Sequence, residues 1–400
     1  MTRHAIIVGG GIAGPLTALG LCRAGFHATI YEAYPEGSGE GAGTWFGVAV
    51  NGLSAMRALG VEDAVKAVGF RSELVELSSG TGKHLGTLPI GGTRSDGTTT
   101  HTMKRADLCR ALTRSAREAG VRFEYGKRFA SAAVTGRGVE ARFDDGTSAH
   151  GDFLVGADGV HSRVRRAIDP NAPARRFTGL GNIGGFAPSA SEALPLGRFH
   201  MIFGKRAFFG YTPAPNGEVW WFANPGHAHE LTREELAATD WRAHLLDLFA
   251  DDRGPMLDLI ERTPGALMNA NQYDLATVPR WHYRRLLILG DAAHAASPSS
   301  GQGVSMAAED AVTLASCMRE HDDVEAALAA FVAARRARVE RVVAYGRRYA
   351  NMKAPGPIGR FFRDLMLPSI FRLQARTYAA SLRWLYEHPV LTPDRQTAFR

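Results

Sequence analysis

Ala5-Ile6-Ile7-Val8-Gly9-Gly10-Gly11-Ile12-Ala13-Gly14 is the stretch on which the fold turns. Its four apolar residues predict a buried strand, and the glycines end it abruptly. Beyond them Ile12, Leu16, Leu19 and Cys22 recur at roughly helical spacing, with Pro15 tolerated in the first turn and Gly25 as the stop. Ala28-Thr29-Ile30-Tyr31 predicts a second strand. Strand, glycine turn, helix and strand within about 30 residues make a βαβ unit. The pattern Gly9-x-Gly11-x-x-Gly14 permits a tight turn and a close backbone approach to a pyrophosphate at the helix N-terminus. Glu32, 18 residues past Gly14, is placed to accept hydrogen bonds from an adenosine ribose, and its charge disfavours a 2′-phosphate there.

The remainder of the chain is that of an ordinary globular protein. It has 400 residues, 45% hydrophobic and 22% charged, which excludes collagen-like, disordered and small disulfide-stapled classes. No apolar run reaches the ~18–20 residues of a membrane span, and the N-terminus lacks the pattern of a secretory leader. The net charge of +7 is concentrated at the end: residues 331–400 hold 14 Lys/Arg against 4 Asp/Glu. The body is therefore slightly acidic, and no nucleic-acid stripe is expected. Cys22, Cys109 and Cys317 are widely spaced among apolar residues and read as core thiols, which implies a reducing, cytoplasmic setting.

Further elements follow from pattern. Residues 106–119 predict a helix, while 121–125, 139–143, 153–155 and 286–289 predict short strands, with Asp144-Asp145-Gly146 as a hairpin turn. Residues 175–275 change character. Aromatic segments at 199–203, 208–211 and 219–222, with a Pro/Gly turn at 213–217, predict an antiparallel sheet forming a second lobe. Thr232-x-x-Glu235 is a capping box, expected to open one helix running through Trp241 and Leu245.

Two more motifs follow strands. One is Gly156-Ala157-Asp158-Gly159-Val160-His161-Ser162, then Val164-Arg165. The other is Leu289-Gly290-Asp291-Ala292-Ala293-His294, then Pro298, Gly301-Gln302-Gly303 and Glu309-Asp310-Ala311. In the latter a strand end delivers a carboxylate, and glycines bring a helix N-terminus to the same place. That suits a polyol held by Asp291 and a developing negative charge met by the helix dipole.

In this order the three motifs resemble those of the single-component, FAD-dependent aromatic hydroxylases (class A flavoprotein monooxygenases) of the p-hydroxybenzoate hydroxylase fold, over residues 3–345. The resemblance implies an α/β chain: a Rossmann-like FAD-binding domain, an antiparallel-sheet substrate domain and a helical C-terminal segment. Residues 1–70, 100–174 and 279–345 would form the first, 71–99 and 175–278 the second, and 346–400 the third. Gly9, Gly11, Ile12, Ala13 and Gly14 would hold the FAD pyrophosphate, with Glu32 and Ala33 at the adenosine ribose. Arg105 would contact FAD, and Asp158 with Gly159 would serve both FAD and a transient NAD(P)H. Asp291 would bind the ribityl chain, with Pro298, Gly301, Gly303 and Val304 beside the isoalloxazine. By the same resemblance NAD(P)H reduces FAD, and one atom of O2 passes to an aromatic or polycyclic substrate through a flavin C4a-hydroperoxide. Epoxidation, Baeyer–Villiger insertion, a flavin-dependent reductase and an FAD-fold binding protein without turnover are the alternatives. The halogenase motif Trp-x-Trp-x-Ile-Pro is missing. A monomer or homodimer, without stable membrane association, is expected.

Two departures from the family pattern stand out. The segment after Gly41-Ala42-Gly43 reads Thr44-Trp45-Phe46-Gly47-Val48-Ala49-Val50-Asn51, longer and more aromatic than usual, and Ser305 replaces an asparagine. No general base is evident; Tyr211, His200 and His227 are candidates by region. His227-x-His229 is a poor metal site, lacking nearby cysteine. Trp220-Trp221-Phe222 reads equally as cavity wall or sheet core. The Arg-rich tail, with Phe361-Phe362 and Trp384-Leu385-Tyr386, is expected to pack across the lobes and not on a membrane.

Overall fold

The computed structural model describes residues 3–38, 45–136, 138–189, 195–353 and 378–389. Gly41 to Thr44 and Phe361-Phe362 lie outside the described residues. The apolar run at the N-terminus forms the strand His4–Val8, central in a six-stranded sheet. His27–Tyr31 pairs with it in parallel on one side and Phe153–Gly156 on the other. Arg122–Glu124 and Leu286–Ile288 extend the parallel array, and His282–Tyr283 closes one edge antiparallel. Parallel strands buried on both faces need helices on both sides. The helices Ala13–Arg23 and Gly303–Glu320 pack together on one of them, so tightly that a Cβ on Gly20 would lie 2.8 Å from the Ala311 carbonyl.

The aromatic middle region forms the expected second sheet, with seven strands. Its order is Asn269–Asp274, Arg176–Pro188, Glu218–Asn224, Phe208–Pro213, Arg198–Phe203, Leu74–Ser79 and His84–Pro89. All neighbours are antiparallel except Leu74–Ser79 with Arg198–Phe203. Side chains alternate between its two faces. Ile202, Phe209, Trp221 and Ala223 point to a core shared with Trp241, Leu245 and Phe249. Phe199, Trp220 and Phe222 point the other way, toward a small sheet made by Trp45–Val48, Thr100–Lys104 and Phe70–Ser72. The double reading of Trp220-Trp221-Phe222 thus resolves by face. Trp221 is sheet core, its indole N–H donating to Thr263 Oγ1 at 2.7 Å. Trp220 is buried between the sheets, and Phe222 remains half-buried beside it.

One helix expectation fails. The capping box is present, but the helix it opens, Arg233–Ala238, stops. A new one, Trp241–Phe249, starts from Asp240, whose carboxylate accepts from the Arg242 and Ala243 amides at 3.1 Å each. The second cap was hidden behind the first, because Asp240 sits where an unbroken helix would expose a polar residue. Among the described residues no helix is long and apolar enough to cross a membrane.

The described part of the tail packs on the body. Leu385 is fully buried in the main core, and Arg338 donates to the Trp384 and Leu385 carbonyls at 2.9 Å each. Arg341 lies 3.9 Å over the Trp384 ring, so the basic residues here cover apolar surface. Leu385→Ala is expected to lower stability by about 2–5 kcal/mol, read by chemical denaturation. His388 is held well below its ordinary range, at about 4, by burial first and by the Arg338 and Arg335 charges, with Glu309 opposing. The unfolded chain therefore takes up this proton near pH 6.5 and the folded one only near pH 4, so stability falls as pH drops through that window. His388→Asn should flatten the slope of unfolding free energy against pH there by up to about one proton.

Candidate functional site

The three glycine-bearing motifs meet. Gly9 has φ +108° and lies so close to Ala157 that a Cβ on it would be 2.4 Å from that carbonyl oxygen. Arg165, following the second motif, donates to the Ala292 carbonyl in the third at 2.9 Å. Gly290 closes the ring, since a Cβ there would lie 3.1 Å from the Ala13 methyl.

The glycines of the first motif divide by purpose. Gly14 faces the Gly9 carbonyl, where a Cβ would sit 2.0 Å away, so the strand and helix can meet only there. Gly11 is different: a Cβ there would meet nothing nearer than Arg105 Nη2, at 4.0 Å. Glycine at 11 is unexplained by the chain's own packing and fits a backbone kept clear for a ligand. Arg105 begins the helix Arg105–Glu118 and turns its guanidinium to this point, with no ion-pair partner among the described residues. Glu32 is oriented from both sides, its Oε2 accepting from the Gly10 amide at 2.6 Å and its Oε1 from the Tyr34 amide at 3.0 Å. Ala33 follows it at the half-buried strand end.

Asp158 is turned inward. Its Oδ2 accepts from the Arg163 and Val164 amides, at 2.7 and 3.1 Å, and so caps a short helix, while Oδ1 is buried without a partner. Burial pushes its carboxyl upward against those hydrogen bonds. Gly159 makes the adjoining turn with φ +72°. Asp291 is the reverse: it is exposed while Leu289, Gly290, Ala292 and Ala293 are buried around it. The surrounding protein pushes its carboxyl up by desolvation, with His294 and Arg105 opposing and Asp310 adding to the rise. Pro298 opens a short 3-10 turn ending at Gly301, and Gly303 begins the 18-residue helix to Glu320. A Cβ on Gly301 or Gly303 would meet nothing within 4 Å, so the helix N-terminus is clear, with Val304 next to it. Cation, exposed carboxylate, bare backbone and helix N-terminus together form a donor set that fits FAD.

The two departures lie next to each other. Gly52, which follows Asn51, packs on Ser305, and a Cβ on Gly52 would be 2.4 Å from Ser305 Oγ. Asn51 beside it supplies an amide, donating to Gln302 Oε1 at 2.9 Å and Glu309 Oε1 at 2.8 Å. The base candidates lie elsewhere. Tyr211 and His200 stack on each other, ring centroids 4.5 Å apart, on the face of the sheet turned to the helices. Burial pushes Tyr211 up to about 12, with Glu76 adding to the shift. His227 faces Asn269 Nδ2 at 3.0 Å. None of the three stands on the face carrying Phe222. That face keeps Asn182, Phe186, Met201 and Phe222 half-buried. Lys104 lies 4.0 Å over the Phe186 ring and pairs with Glu218 at 2.8 Å.

The family profile described as "FAD binding domain" matches residues 2–345. The chain belongs to the class A FAD-dependent aromatic hydroxylases. This flavoprotein is 32% identical over 343 residues to the aurachin C monooxygenase/isomerase of Stigmatella aurantiaca, covering 85% of this chain and 86% of that one. It is 30% identical over 353 residues to an FAD-dependent urate hydroxylase of Klebsiella pneumoniae, covering 87% and 90%. The structure of Klebsiella pneumoniae HpxO complexed with FAD and uric acid superposes with TM-score 0.83 at 26% identity, covering 96% and 97%. The hydroxylase is an FAD-dependent monooxygenase. Among its described residues no group of three or more His, Cys, Asp or Glu is arranged to hold a metal.

The sequence places Arg335 and Arg338 in a basic tail expected to pack across the lobes, but gives neither a role at the site; they are 1% and 9% exposed at the side chain. Their spacing on the same helix as Leu328 and Phe331 was the signal available. Gly11→Val should leave the melting temperature of the flavin-free protein nearly unchanged yet abolish FAD retention, because only the ligand's space is filled. Gly14→Val should abolish folding itself. Absorbance at the flavin band and thermal melting separate the two outcomes.

Proposed function

We propose that this hydroxylase inserts one atom of O2 into a flat aromatic or polycyclic small molecule bound between the half-buried face of the seven-stranded sheet and the Pro298–Gly303 turn. The observation that carries the reading is the meeting of three motifs around a backbone left clear at Gly11, Gly301 and Gly303. Arg105 and Asp291 are the charged groups turned to that space. In this reading Gly9 to Gly14 cradle the pyrophosphate, Glu32 and Ala33 the adenosine ribose, and Asp291 the ribityl hydroxyls. Asp158 and Gly159 shape the floor of the site through backbone, since the Asp158 carboxylate is committed to a helix cap. Pro298, Gly301, Gly303 and Val304 lie beside the ring system.

FAD, when bound and reduced by a visiting NAD(P)H, supplies the activation of O2. The chain does the rest. The N-terminus of the helix Gly303–Glu320 favours negative charge next to it by ~0.3–1 kcal/mol, up to ~2 when partly buried. Phe186, Met201 and Phe222 give the substrate an apolar wall, and excluding water there protects reactive species from collapse. Lys104 is neutralised by Glu218, so the wall carries no net charge at that edge, which favours an uncharged planar ring. Residues 71–99 and 175–278 serve as the substrate lobe of this arrangement, and among the described residues only one sheet, that of His4–Val8, is built from parallel βαβ strands.

The test is mass spectrometry of the product under oxygen-18 gas, with candidates chosen by substrate-stimulated NAD(P)H oxidation. One labelled oxygen in the product is expected; a product that gains none, or only loses hydrogen, overturns the reading. Asp291→Ala should cut turnover by ~100-fold through misplacement of the ring by ~1 Å, with peroxide released in place of product.

A further inference from the structure

Behind the site lies a buried cluster of charge. The helix Gly303–Glu320 presents two consecutive carboxylates, Glu309 and Asp310, 3% and 0% exposed. Asp310 reaches the turn that carries Asp291 at both ends. Its Oδ2 accepts from the Gly290 amide at 3.0 Å, before Asp291, and is 2.6 Å from His294 Nε2, after it. Its Oδ1 accepts from Arg335 Nε at 2.7 Å. Glu309 reaches elsewhere. Its Oε1 accepts from Asn51 Nδ2 at 2.8 Å, and the same amide holds Gln302 in the turn before Gly303. Arg338 pairs with both Glu309 oxygens at 2.7 Å, and Arg335 joins the two acids by donating to Glu309 Oε2 at 2.8 Å.

Burial opposes the charge on both acids, yet the arginines, Asn51, His294 and the Gly290 amide outweigh it and bring each to about 2. Two carboxylates and two guanidiniums balance within the cluster. Such a group does not need to be charged to fill a core, because apolar residues of similar volume do so at equal or better stability. What charge supplies is direction: each acid fixes named donors on a different loop, and sequence neighbours on one helix cannot move independently.

We propose that Asp310 and Glu309 are positioning residues with divided duties. Asp310 sets the Asp291 turn at the ribityl end of the cofactor, and Glu309, through Asn51 and Gln302, sets the turn beside its ring. This rests on the cofactor placement given above. ADP separates the two claims, because it occupies the Gly9–Gly14 cradle and Glu32 without reaching Asp291.

The full-length protein, freed of flavin, is titrated with FAD and with ADP. His294→Leu removes one of the two donors by which Asp310 holds the turn while leaving Asp310 paired with Arg335. It is expected to raise the FAD Kd about 10- to 100-fold and to move the ADP Kd by less than about 3-fold. Asp310→Asn should act in the same direction; if it fails to fold, His294→Leu carries the test. Asn51→Ala should change FAD and ADP affinity by less than about 3-fold yet alter the visible absorption band of the bound flavin. Equal weakening of FAD and ADP by His294→Leu, no weakening of either, or an unaltered flavin band in Asn51→Ala overturns the division of duties. Failure of the unaltered protein to bind ADP overturns the placement of the cofactor itself, and the proposal with it.

Discussion

The close passage of Gly14 over the Gly9 carbonyl is the constraint from which the rest of the molecule follows. A strand and a helix can be joined by so short a turn only if the helix backbone lies almost on the strand end, and here the available gap is smaller than any side chain. That approach places the helix N-terminus over the sheet edge. Gly9 in turn rests on Ala157, which places the second motif, and the parallel neighbour Leu286–Ile288 then delivers the third. Each motif is legible alone as a turn, but their convergence is a property of parallel strands ending at the same sheet edge, where ligands of open α/β sheets bind.

Against this backbone logic stands a side-chain logic that works at longer range. The helix Gly303–Glu320 touches Ala13–Arg23 through Gly20 and Ala311, the helix Val50–Ala58 through Gly52 and Ser305, and the long helix Val324–Lys353 through arginines. Its near-continuous burial leaves little room for solvent, so the polar atoms on it must find partners within the protein. Gly346 on the long helix comes within 3.0 Å, by its would-be Cβ, of Ser300 in the turn beside the proposed ring site. The helix therefore braces that turn from behind as well as through its charges.

How far the sequence could be read depended on whether a signal was local. The βαβ unit, the hairpin at Asp144-Asp145-Gly146 and the aromatic strands were legible because period and turn chemistry lie within a few residues of each other. The motif residues were legible as well, through their fixed spacing. Three things were not. Asp240 could not be told from the polar face of a continuing helix. The faces of Tyr211 and His200 depended on strand register, which a shift of one residue inverts. Arg335 and Arg338 read only as part of a basic tail that packs over apolar surface, because their pairing depends on carboxylates some 25 residues away on a different helix. The meeting of Asn51 with Gln302 is invisible in the sequence for the same reason, although each stands in a segment that the sequence marks out.

The parallel sheet also sets a timetable. Strand Phe153–Gly156 waits for Leu286–Ile288, its parallel partner, which is synthesised about 130 residues later. At ~5–20 residues per second this leaves that edge of the sheet uncovered on the ribosome for on the order of ten seconds. In the interval the aromatic sheet is made, but its outermost strand, Asn269–Asp274, also comes near the end of the same stretch. Both lobes therefore complete their hydrogen bonding almost together, and a chain interrupted before residue 269 presents two open sheet edges, one of them flanked by Phe153, Leu154 and Val155. Such edges pair readily with other chains. The geometry that gathers three distant motifs into one site thus leaves the unfinished chain with unpaired strand edges throughout the synthesis of its middle third.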